Sequence, residues 1–230
     1  MRVSLVSYTM DPEITCAKCA SVSWRRMGMK DLTLDDARDI IRRVLMCGHE
    51  SVIEHASFCF FVEGVSRSLS HQLVRHRIAS YTQQSMRYVD LTALERYFIR
   101  PKSIAKIDEL NEQFDNIMTR CKNAYNFLIE RGIPAEDARF VLPIGTQTKI
   151  AITMNARELQ HFFALRCCLR SQWEIRELAN RMLKICKSIA PSIFEKAGPS
   201  CVKLGYCPEA DLGCGKLEQM LKMYSDQTTE

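Results

Sequence analysis

The sequence TLDDARDIIRRVLMCGHESVIEHASFCFFVEG, residues 33–64, holds a clear helix pattern followed by a clear strand pattern. Thr33 precedes an apolar stripe with helical spacing, and two aspartates follow it in the first turn, where carboxylates suit the positive end of the helix dipole. Gly48 lies where a glycine commonly ends a helix. The segment ASFCFFVEG predicts a β-strand that ends at Gly64. This stretch therefore predicts a fold that contains both kinds of element.

Helix signals outnumber strand signals in the rest of the chain. A long helix is predicted from about Ser103 to Arg131, with Gly132 directly after it. Capping boxes are predicted at Ser51, Asn155 and Ser171, because each is followed by a glutamate three residues later. The segment SRSLSHQLVRH also predicts a helix, whereas TQTKIAITM partly alternates like a strand. We therefore expect an α+β fold in which a small, mostly antiparallel sheet packs with several long helices.

Length and composition predict a main domain and a small appendage. The chain has 230 residues, of which 47% are hydrophobic and 26% charged, as in ordinary globular proteins. We expect one domain over residues 1–195 and a Cys/Gly-rich extension over residues 196–230. The chain has no apolar run of membrane-spanning length and no secretory signal pattern, so we expect a cytoplasmic protein without a membrane partner. Five residues are expected in the core: Met27, Met29, Phe162, Phe163 and Trp173.

Eleven cysteines are a high and odd count, and in a reducing compartment they are thiols or metal ligands. Cys201, Cys207 and Cys214 lie among glycines and prolines, as in metal-binding loops, but three ligands are one fewer than a closed zinc site needs. We expect free thiols here, and the metal alternative stays open. The spacing of His49 and His55 matches no strong zinc pattern, so no metal site is predicted.

The segment LVRHRIASYTQQSMRY, residues 73–88, carries the densest group of arginines. On a helix, Arg75 and Arg77 could not share one face, so they would reach different ligands. Ser85 and Arg87 follow in a predicted loop and offer a hydroxyl and a third guanidinium, which can hold an anionic ligand. The alternative is a solvated basic helix end. The net charge of +5 suits anionic partners but is too small to select among them.

The same residues, RHRIASYTQQSMRY, resemble the signature of the flavin-dependent thymidylate synthases. In that family Arg-His-Arg is followed at fixed spacing by two serines and an arginine, here Ser80, Ser85 and Arg87. Other segments resemble the family in the same order: GHESVIEHASFCF, SRSLSHQLVRHR, DARFVLP, TMNARELQHFFALR and SQWEIRELA. The resemblance extends from about Cys16 to Phe194, so it covers most of the chain and the predicted main domain.

This resemblance implies an enzyme that methylates dUMP to dTMP. The implied carbon donor is methylenetetrahydrofolate, and the implied cofactor is FAD, which NADPH reduces. It also implies a homotetramer whose active sites are shared between subunits. The implied partners are small molecules rather than nucleic acid.

The resemblance further implies two sets of site residues and one catalytic residue. Arg166 would lie at the pyrimidine and stabilise negative charge on the ring, which favours loss of the N3 proton. The implied flavin contacts are Ser51, Arg75, His76, Arg77, Gln83, Asn155, Arg157 and His161, with Ser23, His49 and Glu54 nearby. The implied nucleotide contacts are Gln72, Arg75, Gln83, Gln84, Ser85, Met86, Arg87, Arg139 and Arg166.

Two departures from the family pattern and two alternative functions bear on this hypothesis. Gln83 and Thr82 stand where many members carry glutamate and asparagine, so the role of Gln83 is in doubt. Ser85 could act as a nucleophile, but without a nearby base we expect it to bind a ligand. No Gly-x-Gly-x-x-Gly motif is present, which argues against a Rossmann-type flavin site. The alternatives are a basic nucleic-acid-binding protein and a thymidylate synthase with a cysteine nucleophile.

Overall fold

The computed structural model describes residues 1–23, 32–89 and 97–225, and these form an α+β fold, as predicted. Four strands form one antiparallel sheet in the order β1-β2-β4-β3: β1 (Arg2–Tyr8), β2 (Ser57–Ser66), β3 (Ala79–Gln83) and β4 (Gln147–Asn155). The α-helices of the described residues are α1 (Pro12–Ser21), α2 (Leu34–Met46), α3 (Arg67–Leu73), α4 (Lys102–Ala105), α5 (Asp108–Glu130), α6 (Ala135–Ala138), α7 (Ala156–Arg166), α8 (Trp173–Ile189), α9 (Pro191–Phe194), α10 (Ser200–Leu204) and α11 (Leu217–Ser225). Short 3-10 helices span Glu50–His55, Arg139–Val141 and Ala210–Leu212.

Helix α2 begins and ends as its sequence predicts. The Thr33 side chain accepts a hydrogen bond from the Asp36 backbone N–H at 3.2 Å, and Asp36 returns the bond, which completes a capping box. Gly48 follows with φ +76°, a conformation that glycine adopts without strain. Thr33 and Gly48 therefore set the bounds of this helix.

Three other predicted element ends are wrong, each for a local reason. Glu50–His55 is a 3-10 helix without a side-chain cap, so Ser51 begins no capping box. β2 continues past Gly64, whose φ of +68° is accommodated within the strand, and ends at Ser66. Helix α8 is capped by Gln172 rather than Ser171: Gln172 Oε1 accepts from the N–H groups of Glu174 and Ile175, and the Ser171 hydroxyl is turned toward the Leu165 carbonyl, to which it donates at 2.7 Å.

The long helix predicted from about Ser103 to Arg131 is two helices, α4 and α5. Ile107 separates them in an extended conformation, and its carbonyl accepts the first bond of α5, from the Asn111 N–H at 2.9 Å. Asp108 and Glu109 form the first turn of α5, where acidic side chains favour a helix start. The second helix therefore begins at the acidic pair rather than continuing α4.

The chain forms two compact units. The first unit comprises Met1–Arg2, Val62–Arg75 and Tyr81–Ala151, and the second comprises Val3–Phe61, His76–Ser80 and Ile152–Glu230. A small core in the first unit contains Met86, Tyr97, Tyr125 and Ala138. The predicted division at residue 195 stays a prediction.

Aromatic packing fills the core of the second unit. Phe58 and Phe163 each pack against Phe194, with ring centroids 5.5 and 6.1 Å apart. Phe162 and Phe163 are fully buried, as predicted, but Trp173 is only half-buried. Met27 and Met29 lie outside the described residues. Helix α8 packs against α7, so the helix that carries Arg157, His161 and Arg166 is supported by a second helix.

A buried carboxylate joins three elements of the second unit. Glu13 of α1 is 3% exposed and accepts hydrogen bonds from Arg38 Nε (2.9 Å), the Ser192 N–H (2.7 Å) and the Ser192 hydroxyl (2.6 Å). Since Arg38 lies in α2 and Ser192 in α9, this one side chain ties the three helices together.

No helix in the described residues has both the length and the apolarity that crossing a membrane requires.

Candidate active site

The predicted site residues divide between the two units, and each group is built by its own unit. The first unit holds most of the predicted nucleotide contacts: Gln72, Arg75, Gln83, Gln84, Ser85, Met86, Arg87 and Arg139. The second unit holds the predicted catalytic residue and most of the flavin contacts: Ser51, His76, Arg77, Asn155, Arg157, His161 and Arg166.

The Arg-His-Arg segment is a connection rather than the end of a helix. Helix α3 ends at Leu73, so Arg75, His76 and Arg77 lie between α3 and β3. His76 is buried, 4% exposed, whereas both arginines are exposed. The histidine is therefore a core group of the second unit, and the flanking guanidiniums face solvent.

His76 joins two residues of helix α7. Arg166 Nε donates a hydrogen bond to His76 Nε2 at 3.0 Å, and His76 Nδ1 lies 3.3 Å from Glu158 Oε1. Phe162 packs edge-on against the imidazole, with centroids 5.0 Å apart and an interplanar angle of 82°. Glu158, Phe162 and Arg166 are spaced by four residues, so they share one face of α7.

The environment of His76 favours its neutral form. Burial and the neighbouring charges of Arg166 and His161 lower the pKa of His76 from 6.5 to about 4. Burial also lowers the pKa of Arg166, whose guanidinium is half-buried. Burial raises the pKa of Glu158, and the charge of His161 acts against that rise. At neutral pH the site therefore pairs a neutral imidazole with a cationic guanidinium.

The group of His76, Glu158 and His161 could also suit a metal ion by residue type, since its ligand atoms all lie within 4.8 Å of one another. However, Arg166 donates to Nε2 of His76, and its positive charge would oppose a cation. We therefore interpret these residues as a hydrogen-bonded chain.

A cavity of about 750 Å³ in the second unit contains several predicted flavin residues. Asn155, Arg157, His161 and Glu54 line it, whereas Ser51 does not. Its basic lining groups are Arg42, Arg157, Lys196 and Lys203, and its apolar ones include Leu45, Met46, Ile78 and Ile193. Four glutamates also line it: Glu50, Glu54, Glu158 and Glu195. The cavity therefore offers charged groups of both signs and an apolar surface to one ligand.

Ion pairs hold the basic groups at one edge of this cavity. Arg157 pairs with Glu54 and lies 3.9 Å from Glu50, which also pairs with Lys203. Asn155 Oδ1 caps α7 by accepting from the Glu158 N–H at 2.9 Å, so its other amide atom, Nδ2, is the one that can serve a ligand. The Glu158 carboxylate contacts His76, so the reciprocal half of the predicted capping box is replaced.

One predicted flavin contact of the second unit, Ser51, and two residues predicted to lie near the flavin, Ser23 and His49, are at the surface. Ser51 and His49 are exposed, and the Ser23 hydroxyl donates to the Ala20 carbonyl at 2.9 Å. The structure does not place these side chains in contact with His76, so their role stays a prediction.

Gln83 lies within an internal hydrogen-bond group of the first unit. Its Nε2 donates to the Ser70 hydroxyl at 2.9 Å and to the Thr148 hydroxyl at 3.2 Å, and both of these residues are 1% exposed. Ser70 in turn donates to the Arg67 carbonyl at 2.9 Å. A glutamine suits this position because it donates to two hydroxyl oxygens, which a carboxylate cannot do.

Two predicted nucleotide arginines of the first unit meet at Glu136. Arg87 Nε donates to the Glu136 carboxylate at 3.1 Å, and Arg139 Nε donates to the backbone carbonyl of Glu136 at 3.0 Å. Burial and the neighbouring charge of Arg139 lower the pKa of Arg67. Because two like charges lie near each other here, an anion would relieve their repulsion.

The remaining residues of the nucleotide set have local roles. The Ser85 hydroxyl accepts from the Arg87 N–H at 3.2 Å, which is a donor and not a base. Met86 is 9% exposed and packs in the first unit's core, so its backbone is the part suited to a ligand. The Gln84 N–H donates to the Lys149 carbonyl at 2.9 Å, and Gln72 is half-buried in α3.

The cysteines are free thiols of differing exposure. Burial raises the pKa of Cys16 and of Cys167 to about 12, and it also raises the pKa of Cys186. Cys201 has a raised pKa because of burial and because the thiols of Cys168, Cys207 and Cys214 lie near it. Sulfurs around zinc lie about 4 Å apart, given Zn–S bonds of ~2.3 Å. Within the described residues no set of three thiols is that compact.

Three contributors were missed by sequence reasoning about the site. Glu158 was predicted only as a capping residue, and neither Glu136 nor Arg67 was predicted. The signal for Glu158 was its spacing of eight residues from Arg166, with Phe162 midway on the same helix face. No local pattern pointed to Glu136 or Arg67.

Comparisons with known proteins match nearly the whole chain. A family model described as thymidylate synthase complementing protein matches residues 4–192. A flavin-dependent thymidylate synthase of Geobacter sulfurreducens is 45% identical over 232 residues, which cover 99% of this chain and 100% of the relative. Relatives of the same name from Pyrococcus abyssi and Clostridium tetani are 48% and 44% identical, with 94% and 97% of each chain covered.

Proposed function

This chain belongs to the flavin-dependent thymidylate synthase family, as predicted, and we propose that it methylates dUMP to dTMP. The proposed carbon donor is methylenetetrahydrofolate, and the proposed reductant is NADPH, acting through FAD. The observation that carries this proposal is the 45% identity to a relative of that name along its whole length. Family membership also argues against a nucleic-acid-binding protein and against a thymidylate synthase with a cysteine nucleophile.

The cavity of the second unit supports FAD as the cofactor. Its volume of about 750 Å³ lies within the usual range of ~300–1,000 Å³ for ligand pockets. Arg157 and Lys203 suit a pyrophosphate, and Ile78 and Ile193 suit an aromatic ring. When bound, a reduced flavin supplies the hydride, while the protein supplies orientation and electrostatics.

Arg166 is the proposed catalytic residue. Its Nε is engaged by His76, which leaves the two terminal nitrogens of the guanidinium to face the pyrimidine. A cation there stabilises negative charge on the ring and favours loss of the N3 proton. Partial burial strengthens this effect, because charges interact more strongly where water is excluded.

The first unit is proposed to bind the nucleotide phosphate. Arg67 and Arg139 lie close enough to affect each other electrostatically, and Arg87 reaches the same glutamate as Arg139. We expect the phosphate to compete with Glu136 for these guanidiniums. Ser85 is proposed to bind the ligand rather than attack it, since its hydroxyl contacts an N–H donor.

A homotetramer in the cytoplasm is the proposed state of the enzyme. Helix α5 leaves Leu110 and Ile117 about half exposed, and these two residues, seven positions apart, lie on one face of the helix. An apolar stripe of this kind on a soluble enzyme suits contact with a second copy of the chain. Sedimentation equilibrium measures the subunit number directly, and a monomer would contradict this part of the proposal.

The proposed function is tested with purified protein. We expect a flavin absorbance spectrum that NADPH bleaches under anaerobic conditions, and formation of dTMP when dUMP and methylenetetrahydrofolate are added. Replacing Arg166 with alanine is expected to leave flavin binding intact and to lower kcat by ~100-fold or more, as for other lost electrostatic catalysts.

The matched control is Arg170→Ala. Arg170 lies in the turn after α7 and pairs with Glu209 in an exposed salt bridge, so its loss should leave turnover unchanged. Normal turnover in Arg166→Ala would refute the catalytic assignment. A protein that takes up no flavin on reconstitution would refute the proposed function itself.

A further inference from the structure

We propose that Glu158 is a positioning residue for Arg166 and that it acts through the His76 imidazole. This inference rests on the catalytic role proposed for Arg166. Glu158 lies in the first turn of α7, and Arg166 is the last residue of that helix. His76, from the connection between α3 and β3, lies against the same helix face and contacts both side chains. The three side chains therefore form a chain that runs along the helix.

The direction of each hydrogen bond follows from donor chemistry. The nitrogens of arginine are donors only, so the bond from Arg166 Nε requires a lone pair on His76 Nε2. The neutral imidazole must then carry its proton on Nδ1, and that N–H donates to Glu158 Oε1. The carboxylate thus selects the one neutral tautomer that can accept from Arg166.

Burial makes this selection effective. His76 and Glu158 are 4% and 6% exposed, so water competes weakly for either partner. Phe162 packs against the ring edge-on and limits its rotation. With Nε2 fixed, Arg166 is held through Nε, and its terminal nitrogens keep one orientation toward the ligand.

Loss of the carboxylate would remove the preference for the Nδ1–H tautomer. The Nε2–H tautomer would place two N–H donors against each other, and Arg166 would turn away. Displacement of a catalytic group from its productive orientation commonly lowers turnover by ~10- to 100-fold.

The test compares Glu158→Leu and Glu158→Gln with the wild type. Leucine fills similar space without an acceptor, whereas the glutamine oxygen can still accept from Nδ1–H. We expect kcat to fall by ~10- to 100-fold in Glu158→Leu and to be largely rescued in Glu158→Gln, with flavin retained in both. The backbone cap from Glu158 N–H to Asn155 is kept in both variants.

A spectroscopic measurement reports on the tautomer independently of activity. The chain has five histidines, so ¹⁵N-histidine NMR can resolve the two ring nitrogens of His76. We expect the Nδ1–H tautomer in the wild type and in Glu158→Gln, and the Nε2–H tautomer in Glu158→Leu. An Nε2–H tautomer in the wild type would overturn the inference even if Glu158→Leu did not fold.

The kinetic outcomes separate this inference from the proposed function. If Arg166→Ala is inactive while Glu158→Leu keeps normal kcat, the positioning role is wrong and the proposed function stands. Equal losses of kcat in the leucine and glutamine variants would also overturn the inference, because the acceptor oxygen would not matter. If the wild type forms no dTMP, the proposed function fails. Selection of the His76 tautomer by Glu158 would still be supported if the wild type held the Nδ1–H tautomer and Glu158→Leu held the Nε2–H tautomer.

Discussion

Replacing Glu13 with glutamine is expected to destabilise the protein by about 3 kcal/mol. The carboxylate is 3% exposed and accepts three hydrogen bonds, from Arg38 Nε and from the N–H and hydroxyl of Ser192. Hydrogen bonds to charged groups contribute ~1.5–3 kcal/mol each, and breaking a buried ion pair costs ~3–5 kcal/mol.

We expect the loss of stability to lie at the lower end of the ~3–5 kcal/mol for a broken buried ion pair, because part of the lost bonding is replaced. The glutamine oxygen can still accept from Ser192, while its NH₂ group would face Arg38 Nε as a second donor. The Arg38 side chain is 31% exposed, so it can recover part of its hydration. A loss of about 3 kcal/mol corresponds to a decrease in Tm of ~6–12 °C for a chain of this length.

The assay is thermal unfolding followed by circular dichroism at one fixed protein concentration, because association would shift Tm. The matched control is Glu209→Gln, which removes the exposed partner of Arg170 and should cost less than ~1 kcal/mol. If Glu13→Gln melts within 2 °C or so of that control, the reasoning about this buried carboxylate is refuted.

Two further predictions concern Gln83 and the pH dependence of stability. At neutral pH, Gln83→Glu should lower the free energy of unfolding by ~1–3 kcal/mol, because the hydroxyl of Ser70 must give up its bond to the Arg67 carbonyl to serve a carboxylate. Urea unfolding checks this, and a variant as stable as the wild type would contradict it. The pKa of His76 is lowered from 6.5 to about 4, so the unfolded chain binds the extra proton between those values, and stability should fall by about 3 kcal/mol as the pH drops through that window. Urea midpoints at pH 7.5, 5.5 and 4 for wild type and His76→Gln check this, and parallel curves for the two proteins would refute it.

Local sequence patterns predicted the elements whose ends are decided by neighbouring residues. The capping box of Thr33 and Asp36 and the glycine at position 48 bound α2 as expected. Asn155 was correctly predicted as the cap of α7. Strand β3 (Ala79–Gln83) was not predicted, because its pairing in the sheet depends on residues distant in sequence.

The candidate site was predicted in its residue types but not in its connections. The family resemblance supplied His76 and Arg166, and nothing in the linear sequence showed that they hydrogen bond across 90 positions. Glu158 carried a capping signal, yet tertiary structure gave its carboxylate to His76 instead. Such contacts depend on the folded chain, so short-range patterns cannot reveal them.

The uneven exposure of the thiols makes this protein suitable for selective labelling. The thiolate is the reactive form of cysteine, so the buried Cys16 and Cys167, with pKa values of about 12, should resist alkylation. All eleven cysteines lie in described residues, and Cys47 is the one classed as exposed. It directly follows Met46, which lines the large cavity. A maleimide dye attached to Cys47 would therefore lie beside the cavity proposed to bind FAD. Energy transfer between the dye and the flavin would report whether the cavity is occupied.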